Sequence, residues 1–281
     1  MRSIASLFLR NRRIGIDISE SYIKFVRLER GARGLGVAEF GERAYADEHG
    51  LATALGALKK KHGISSARVA VFAAETELPF SVEKACAAAG IVVRSLDGEA
   101  ESAAHAAVHA GDTLPRIVVD IRDGHAGLCL FWRGTSYFET LIPYAGGRAV
   151  TEAVAESLNV PFADAEAAKI AHGLHQELGA GLGAAFAVAG YLRDEIAACM
   201  REWHGRGGAG APPRPPIASI VLTGGGANLK GLPEFLASGL SLPVIRADVW
   251  RNLAFPERGV PALAKNESLR YAAAIGAALS N

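Results

Sequence analysis

The sequence predicts an α/β protein made of one folding unit used twice. Three observations carry that prediction. Two stretches each open with three apolar strands in succession, the first starting at Ile14 and the second at Arg116. The leading strand of each set ends in an aspartate, Asp17 and Asp120. After each set, helical and strand patterns alternate, as in a sheet with helices packed on it.

Ile14–Ile18 is a β-branched run and reads as a strand, Tyr22–Leu28 alternates, and Gly34–Phe40 follows a turn. Leu51, Leu55 and Leu58 recur at helical spacing, so Leu51–His62 is expected as a helix, with Gly63 after it. Val69–Phe72 is the next strand. Ser81 is expected to cap a helix running to Ala89, stopped by Gly90. Ile91–Leu96 is a strand and Glu99–Ala110 an alanine-rich helix. The pattern then restarts with strands at Arg116–Ile121, Gly127–Trp132 and Tyr137–Ile142. Helices follow at Arg148–Leu158 and from Pro161 to about His172. Gly181–Trp203 is the longest helix, with an apolar stripe at Leu182, Phe186, Ala189, Leu192, Ile196, Cys199 and Trp203. Residues 205–216 are too rich in glycine and proline for regular structure and read as a linker. Ile217–Thr223 is a short buried strand. Three glycines end it, and Leu232–Gly239 follows as a helix with Pro233 in its first turn. A strand at Pro243–Ile245 and an alanine-rich helix at Glu267–Leu279 complete the series.

The glycines Gly224–Gly226 have two readings. They make a tight turn, or they let a ligand lie directly on the peptide groups, since no side chain intervenes and positive φ is allowed. Strand, glycine turn and helix together commonly present N–H groups to a phosphate. Composition narrows the rest. The net charge of +1 gives no argument for nucleic acid. Cys86, Cys129 and Cys199 are isolated and are expected as buried, reduced thiols. No apolar run reaches the ~20 residues that span a bilayer. The first 13 residues carry Arg2, Arg10, Arg12 and Arg13 without an acid. They are too short in apolar residues for a signal peptide and are expected to be a frayed terminus, with contact to an anionic membrane as the alternative. His105 and His109 are spaced like helical metal pairs but lack a third ligand, so an exposed helix face is expected.

Five segments, in order, resemble the actin-like ATPase superfamily. Asp17–Lys24, DISESYIK, resembles its first phosphate loop, DxGxxxxK, and Asp120–Gly127, DIRDGHAG, resembles its second. Ala165–Lys169, AEAAK, follows PYAGGRAVTEAVAESL and resembles the AExxK helix that touches ribose and base. TGGGANLKG resembles the adenosine motif, and RYAAAIGAAL the segment that returns to the first domain. The nearest resemblance is to the PilM-type inner-membrane platform family of type IV pilus assembly, in the FtsA/PilM branch. That family likewise has a strand reading like IGIDIS and carries IP-x-GG and GGGA-x-x-x-GL segments. The resemblance implies a duplicated ribonuclease-H-like fold, two domains around a nucleotide cleft. Residues 1–112 plus 266–281 would form the first domain and 113–265 the second. It implies ATP and Mg²⁺, with Asp17 and Asp120 holding the metal through water and serving any catalysis. Ser19, Glu20, Ser21, Lys24 and Gly124 would face the phosphates. Glu166 and Lys169 would meet ribose and base, and Gly224, Gly225, Gly226 and Asn228 would lie under the adenosine. It also implies a cytoplasmic protein peripheral to the inner membrane, held by the cytoplasmic peptide of a PilN-type partner, with self-association open and no nucleic acid.

The residues also have plainer readings. A strand-end aspartate caps turns. Lys24 fits a solvated strand face. Glu166 and Lys169, three apart on one helix face, make a surface ion pair. The sequence also departs from the superfamily pattern. Ser19 replaces a loop glycine, Glu20 follows it, and Arg122 stands where a glycine is usual. A carboxylate facing phosphates repels them by about 4 kcal/mol at a 4 Å contact near a protein surface, which the Arg122 charge would offset. The subdomain that this branch inserts in its first half is expected to be reduced or absent, which puts the partner groove in question. The adenosine half reads as intact and the phosphate half as altered, so ATP binding is expected rather than efficient hydrolysis. Two other functions suit the same fold. One is a small-molecule kinase or activating ATPase, for which neither bridging cysteines nor a substrate acid–base set is evident. The other is a nucleotide-free scaffold.

Overall fold

The computed structural model describes residues 12–71, 78–205, 214–254 and 263–280. Residues 1–11 of the basic lead, Phe72 and most of the glycine–proline linker lie outside the described residues, while Arg12 and Arg13 of the lead belong to the first strand and are not frayed. Contacts divide the chain into two units, Met1–Ala110 with Asp248–Asn281, and Gly111–Ala247. The return to the first unit thus falls at Asp248, whereas the sequence reading put it at residue 266.

The first unit holds β1 (Arg12–Ile18), β2 (Tyr22–Gly31), β3 (Gly34–Ala44), α1 (Glu48–His62), β4 (Ser66–Val71), α2 (Leu78–Ala88), β5 (Val92–Gly98) and α3 (Glu99–Ala107). Its sheet runs β3-β2-β1-β4-β5, with β3–β2 and β2–β1 paired antiparallel and β1–β4 and β4–β5 parallel. Among the described residues no further domain interrupts this series. The Asp47 carboxylate accepts from the Gly50 amide at 2.7 Å and starts α1 upstream of the predicted Leu51. Gly63, at φ 64°, closes it. Helix α2 begins at Leu78, so Ser81 lies inside it and is not its cap; Pro79 sits in the first turn, where proline is favoured. Helix α3 stops at Ala107, which leaves His109 beyond it. His105 is half-buried, with its pKa lowered by that burial, so the two histidines share no exposed helix face.

One face of this sheet buries Ile16, Ile18, Ile23, Phe25, Val69 and Val71 against Leu51, Leu55 and Leu58 of α1 and Val82 of α2. The other face receives α9 (Ala272–Leu279), which follows α8 (Lys265–Ser268) and a 3₁₀ turn at Leu269–Tyr271. Here backbones touch. A Cβ on Gly15 would lie 2.0 Å from the Ala274 carbonyl oxygen, and one on Gly276 would lie 1.6 Å from that of Ser102 in α3. Only glycine permits this approach.

The second unit repeats the plan with β6 (Arg116–Ile121), β7 (His125–Trp132), β8 (Thr135–Pro143), α4 (Gly147–Leu158), α5 (Phe162–His172), α6 (Gly181–Gly205), β9 (Ser219–Thr223), α7 (Leu232–Leu240) and β10 (Val244–Arg246). Its order, β10-β9-β6-β7-β8, is the first sheet's order with each strand replaced by its counterpart. The buried stripe of α6 is Gly181, Ala185, Ala189, Leu192, Ile196, Cys199 and Trp203. Leu182 and Phe186 are only half-buried, one residue off the predicted stripe at that end. The small residue is what lets α6 approach α4: a Cβ on Gly181 would already press Val154 at 3.1 Å. All three cysteines are buried and unbridged, and burial pushes the Cys86 thiol up to about 11. Among the described residues no helix is long and apolar enough to cross a membrane.

Candidate functional site

Asp17 ends β1 with no exposed surface, and its cross-strand partner on β2 is Lys24. The two side chains form an ion pair at 3.9 Å. Lys24 is therefore buried and not a solvated strand residue. Between them, the Ser19 amide and hydroxyl both donate to the Tyr22 carbonyl, at 3.0 and 3.1 Å. The Tyr45 hydroxyl donates to the Ser19 carbonyl, and the Tyr45 amide to that of Ser21 at 3.0 Å. Ser19 does not have positive φ, so serine sits here without strain. Glu20 and Ser21 are exposed. Burial, then the charges of Glu20, Asp17 and Glu99, push the Tyr45 phenol up to about 12. This first loop is negative.

Asp120 ends β6 in the same way and is 2% exposed. The Thr223 hydroxyl donates to its Oδ1 and the Arg122 Nε to its Oδ2, each at 2.8 Å. Gly124 lies in the turn that returns the chain to β7, where the Arg122 amide donates to the His125 carbonyl. The start of α4 docks on this loop: the amides of Gly147 and Arg148 donate to the carbonyls of Arg122 and Asp123, each at 2.8 Å.

Helix α5 carries Glu166 and Lys169. The Lys169 ammonium donates to the Gly147 carbonyl at 3.0 Å and to the Thr151 hydroxyl at 2.8 Å, and pairs with Glu166 Oε2 at 2.7 Å. Thr151 also donates to Glu166 Oε2. Burial raises the Glu166 pKa, but the hydrogen bonds from Lys169 and Thr151 and the lysine charge outweigh it, so it is lowered. Glu166 is thus a fixed, ionised carboxylate, 36% exposed. All three donors of Lys169 are committed, which makes it the strut that holds Glu166 and α4 together.

The glycine turn adjoins both. After β9 the chain makes a 3₁₀ turn over Gly225–Asn228. Gly224 has φ 79°, and a Cβ there would lie 2.2 Å from the Ile121 carbonyl oxygen; one on Gly226 would lie 2.3 Å from the Ile121 side chain. These two glycines are required by packing on the second loop. Gly225 is exposed. Just beyond, the Leu174 amide donates to the Lys230 carbonyl at 2.8 Å, and the Lys230 ammonium to that of Ala171 at 2.6 Å, so the end of α5 is tied to the turn.

The second unit thus brings together Asp120, Gly124, Glu166, Lys169, Gly224, Gly225, Gly226 and Asn228. The first gathers Asp17, Ser19, Glu20, Ser21 and Lys24 at one hairpin. Among these, Gly225 offers exposed backbone without a side chain, and Glu166 a held carboxylate able to accept further hydrogen bonds. A hydrated Mg²⁺ at Asp120 does not fit, since a guanidinium already covers that carboxylate. Among the described residues no three His, Cys, Asp or Glu side chains gather around one point. Thr151, Thr223 and Tyr45 escaped the sequence reading. Thr223 had one signal, a hydroxyl residue ending an apolar strand just before the glycines.

The model of the family described as type IV pilus assembly protein PilM matches residues 83–281. No curated protein matches the chain. Among solved structures, a PilM–PilN type IV pilus biogenesis complex aligns with TM-score 0.71 at 17% identity, over 95% of this chain and 97% of that one. The ethanolamine utilization protein EutJ from Carboxydothermus hydrogenoformans aligns with TM-score 0.68 at 18% identity, over 99% and 96%. MreB5 of Spiroplasma citri bound to ADP aligns with TM-score 0.61 at 13% identity, over 94% of each chain. Identities this low speak for the fold alone, which is actin-like, while the family match spans most of the sequence. The chain belongs to the PilM family of type IV pilus assembly proteins.

Proposed function

We propose that this protein is a nucleotide-binding component of the type IV pilus inner-membrane platform, held at the cytoplasmic face by a short segment of a PilN-type membrane partner. The family match over residues 83–281 supports the assembly role, and the relative solved as a PilM–PilN complex supports the partner. The reading of the site rests on one observation: Glu166 is fixed by Lys169 and Thr151 on a helix tied to the glycine turn. In this reading adenosine lies over Gly224–Gly226 beside Asn228, and Glu166 accepts from the ribose. Gly124 is taken as phosphate-facing, and by the family pattern so are Asp17, Ser19, Glu20, Ser21 and Lys24. The actin-like relative bound to ADP supports a nucleotide in this fold. Hydrolysis is not part of the proposal.

Two measurements test it. Isothermal titration with ATP should give saturable binding that Gly225→Val abolishes, because a branched side chain would occupy ligand space while the exposed turn stays outside the core. Binding that survives Gly225→Val would move the site elsewhere. Co-expression with a PilN-type protein should yield a complex that co-purifies, and clean separation of the two would count against the assembly role.

A further inference from the structure

We propose that Arg122 takes the place of a divalent cation at Asp120, so that the second loop binds its ligand without a metal. The ligand class is an adenine nucleotide free of Mg²⁺ at this carboxylate. That part rests on the nucleotide reading above; the exclusion of metal by Arg122 does not.

The carboxylate is engaged on both oxygens. Thr223 reaches Oδ1 from the neighbouring strand, where it pairs with Asp120 in register. Arg122 Nε reaches Oδ2 at 2.8 Å, a charge-assisted contact between groups 3% and 10% exposed. Little solvent screens them. A guanidinium does not lose its proton in proteins, so Arg122 stays positively charged. Nor is Arg122 on a loose loop. Its amide donates to the His125 carbonyl at 2.9 Å, and its own carbonyl accepts the first amide of α4 at 2.8 Å. A Cβ on Gly146 would lie 2.2 Å from the next carbonyl oxygen, that of Asp123, so the loop is clasped against the start of α4. Swinging the guanidinium away by moving the backbone would undo that helix start. A cation arriving at Asp120 meets a fixed positive charge instead of an open carboxylate. The same charge serves phosphate directly, as a planar fork of donors suited to phosphate oxygens.

Mn²⁺ broadening of methyl signals in the nucleotide-free protein tests this, with the Thr223 methyl as reporter and the Thr135 methyl, at the opposite end of the same sheet, as reference. In the wild type, millimolar Mn²⁺ should leave Thr223 as sharp as Thr135. In Arg122→Gly the Thr223 signal should broaden selectively. Arg122→Gln, which keeps size and a hydrogen bond but no charge, should behave like Arg122→Gly and serves if the glycine variant fails to fold. Selective broadening in the wild type overturns the proposal. So does its absence in both variants, because Arg122 would then not be what keeps the metal out. A second arm uses ATP. Affinity in the wild type should be the same with Mg²⁺ or EDTA within about twofold, and Arg122→Gly should gain about tenfold from Mg²⁺. A wild type that needs Mg²⁺ overturns the inference. No ATP binding under any condition sinks the nucleotide reading instead, and the Mn²⁺ arm still decides the role of Arg122.

Discussion

Asp17 and Asp120 occupy the same position in two sheets of the same order, and the chain compensates them by different means. On the antiparallel side Asp17 faces Lys24 and Asp120 faces Gly127; on the parallel side Asp17 lies beside Ala70 and Asp120 beside Thr223. In the first unit the positive charge comes from the facing strand, at 3.9 Å. In the second it comes from the loop, at 2.8 Å, and a strand hydroxyl adds a second bond. The closures differ as well. A neutral phenol, Tyr45, fastens the first loop, while a permanent cation fastens the second. A duplicated fold thus preserves the acid and its burial, while each copy finds its own counter-charge.

Removing the counter-charges should expose the difference. Lys24→Met takes away the facing ammonium and leaves a fully buried carboxylate with less compensation; urea unfolding should show a loss of about 3 kcal/mol. The double variant Asp17→Asn with Lys24→Met should recover much of it, and a failure to do so would mean Lys24 acts through its packing. Thr223→Val, which strips one hydrogen bond from Asp120 but leaves Arg122, should cost about 1.5 kcal/mol by the same measurement. The pH dependence separates the closures. The folded Tyr45 pKa is raised from 10.0 to about 12. Its contribution to stability is complete below 10, where both states keep the proton. It is lost as pH rises through about 12, because the unfolded chain ionises first. Alkaline denaturation should therefore be shallower over that window in Tyr45→Phe than in the wild type. The smallest effect concerns the exposed acid of the first loop. Glu20→Ser should raise ATP affinity about threefold at low salt, fading as salt screens the charge. An unchanged affinity would place the phosphates away from this loop.

The duplication was legible because each strand set is apolar, short and bounded by turns. What was not legible depended on neighbours distant in sequence. Lys24 could not be oriented from alternation, since Ile23, Lys24, Phe25 and Val26 are all buried in a strand covered on both faces. The stripe of α6 slipped by one at its start because hydrophobicity favours Leu182 and Phe186, while close packing selects Gly181 and Ala185. At the site, the glycines announced themselves, but two of the three prove to be packing requirements against Ile121. Arg122 was visible as a departure, yet its bond to Asp120 follows from the tight turn that brings a side chain two residues onward back over the strand end.

The backbone contact of α9 with β1 and α3 bears on the order in which the chain can assemble during synthesis. Gly111–Ala247 is continuous and can close its sheet as soon as it leaves the ribosome. The first unit is made first but must wait. The strip of β1 around Gly15 and the small side chain of Ala70 stay uncovered until residues 265–280 arrive. The earlier half is therefore the later to finish, and a nascent chain halted short of Lys265 would present a complete second unit beside an open first one.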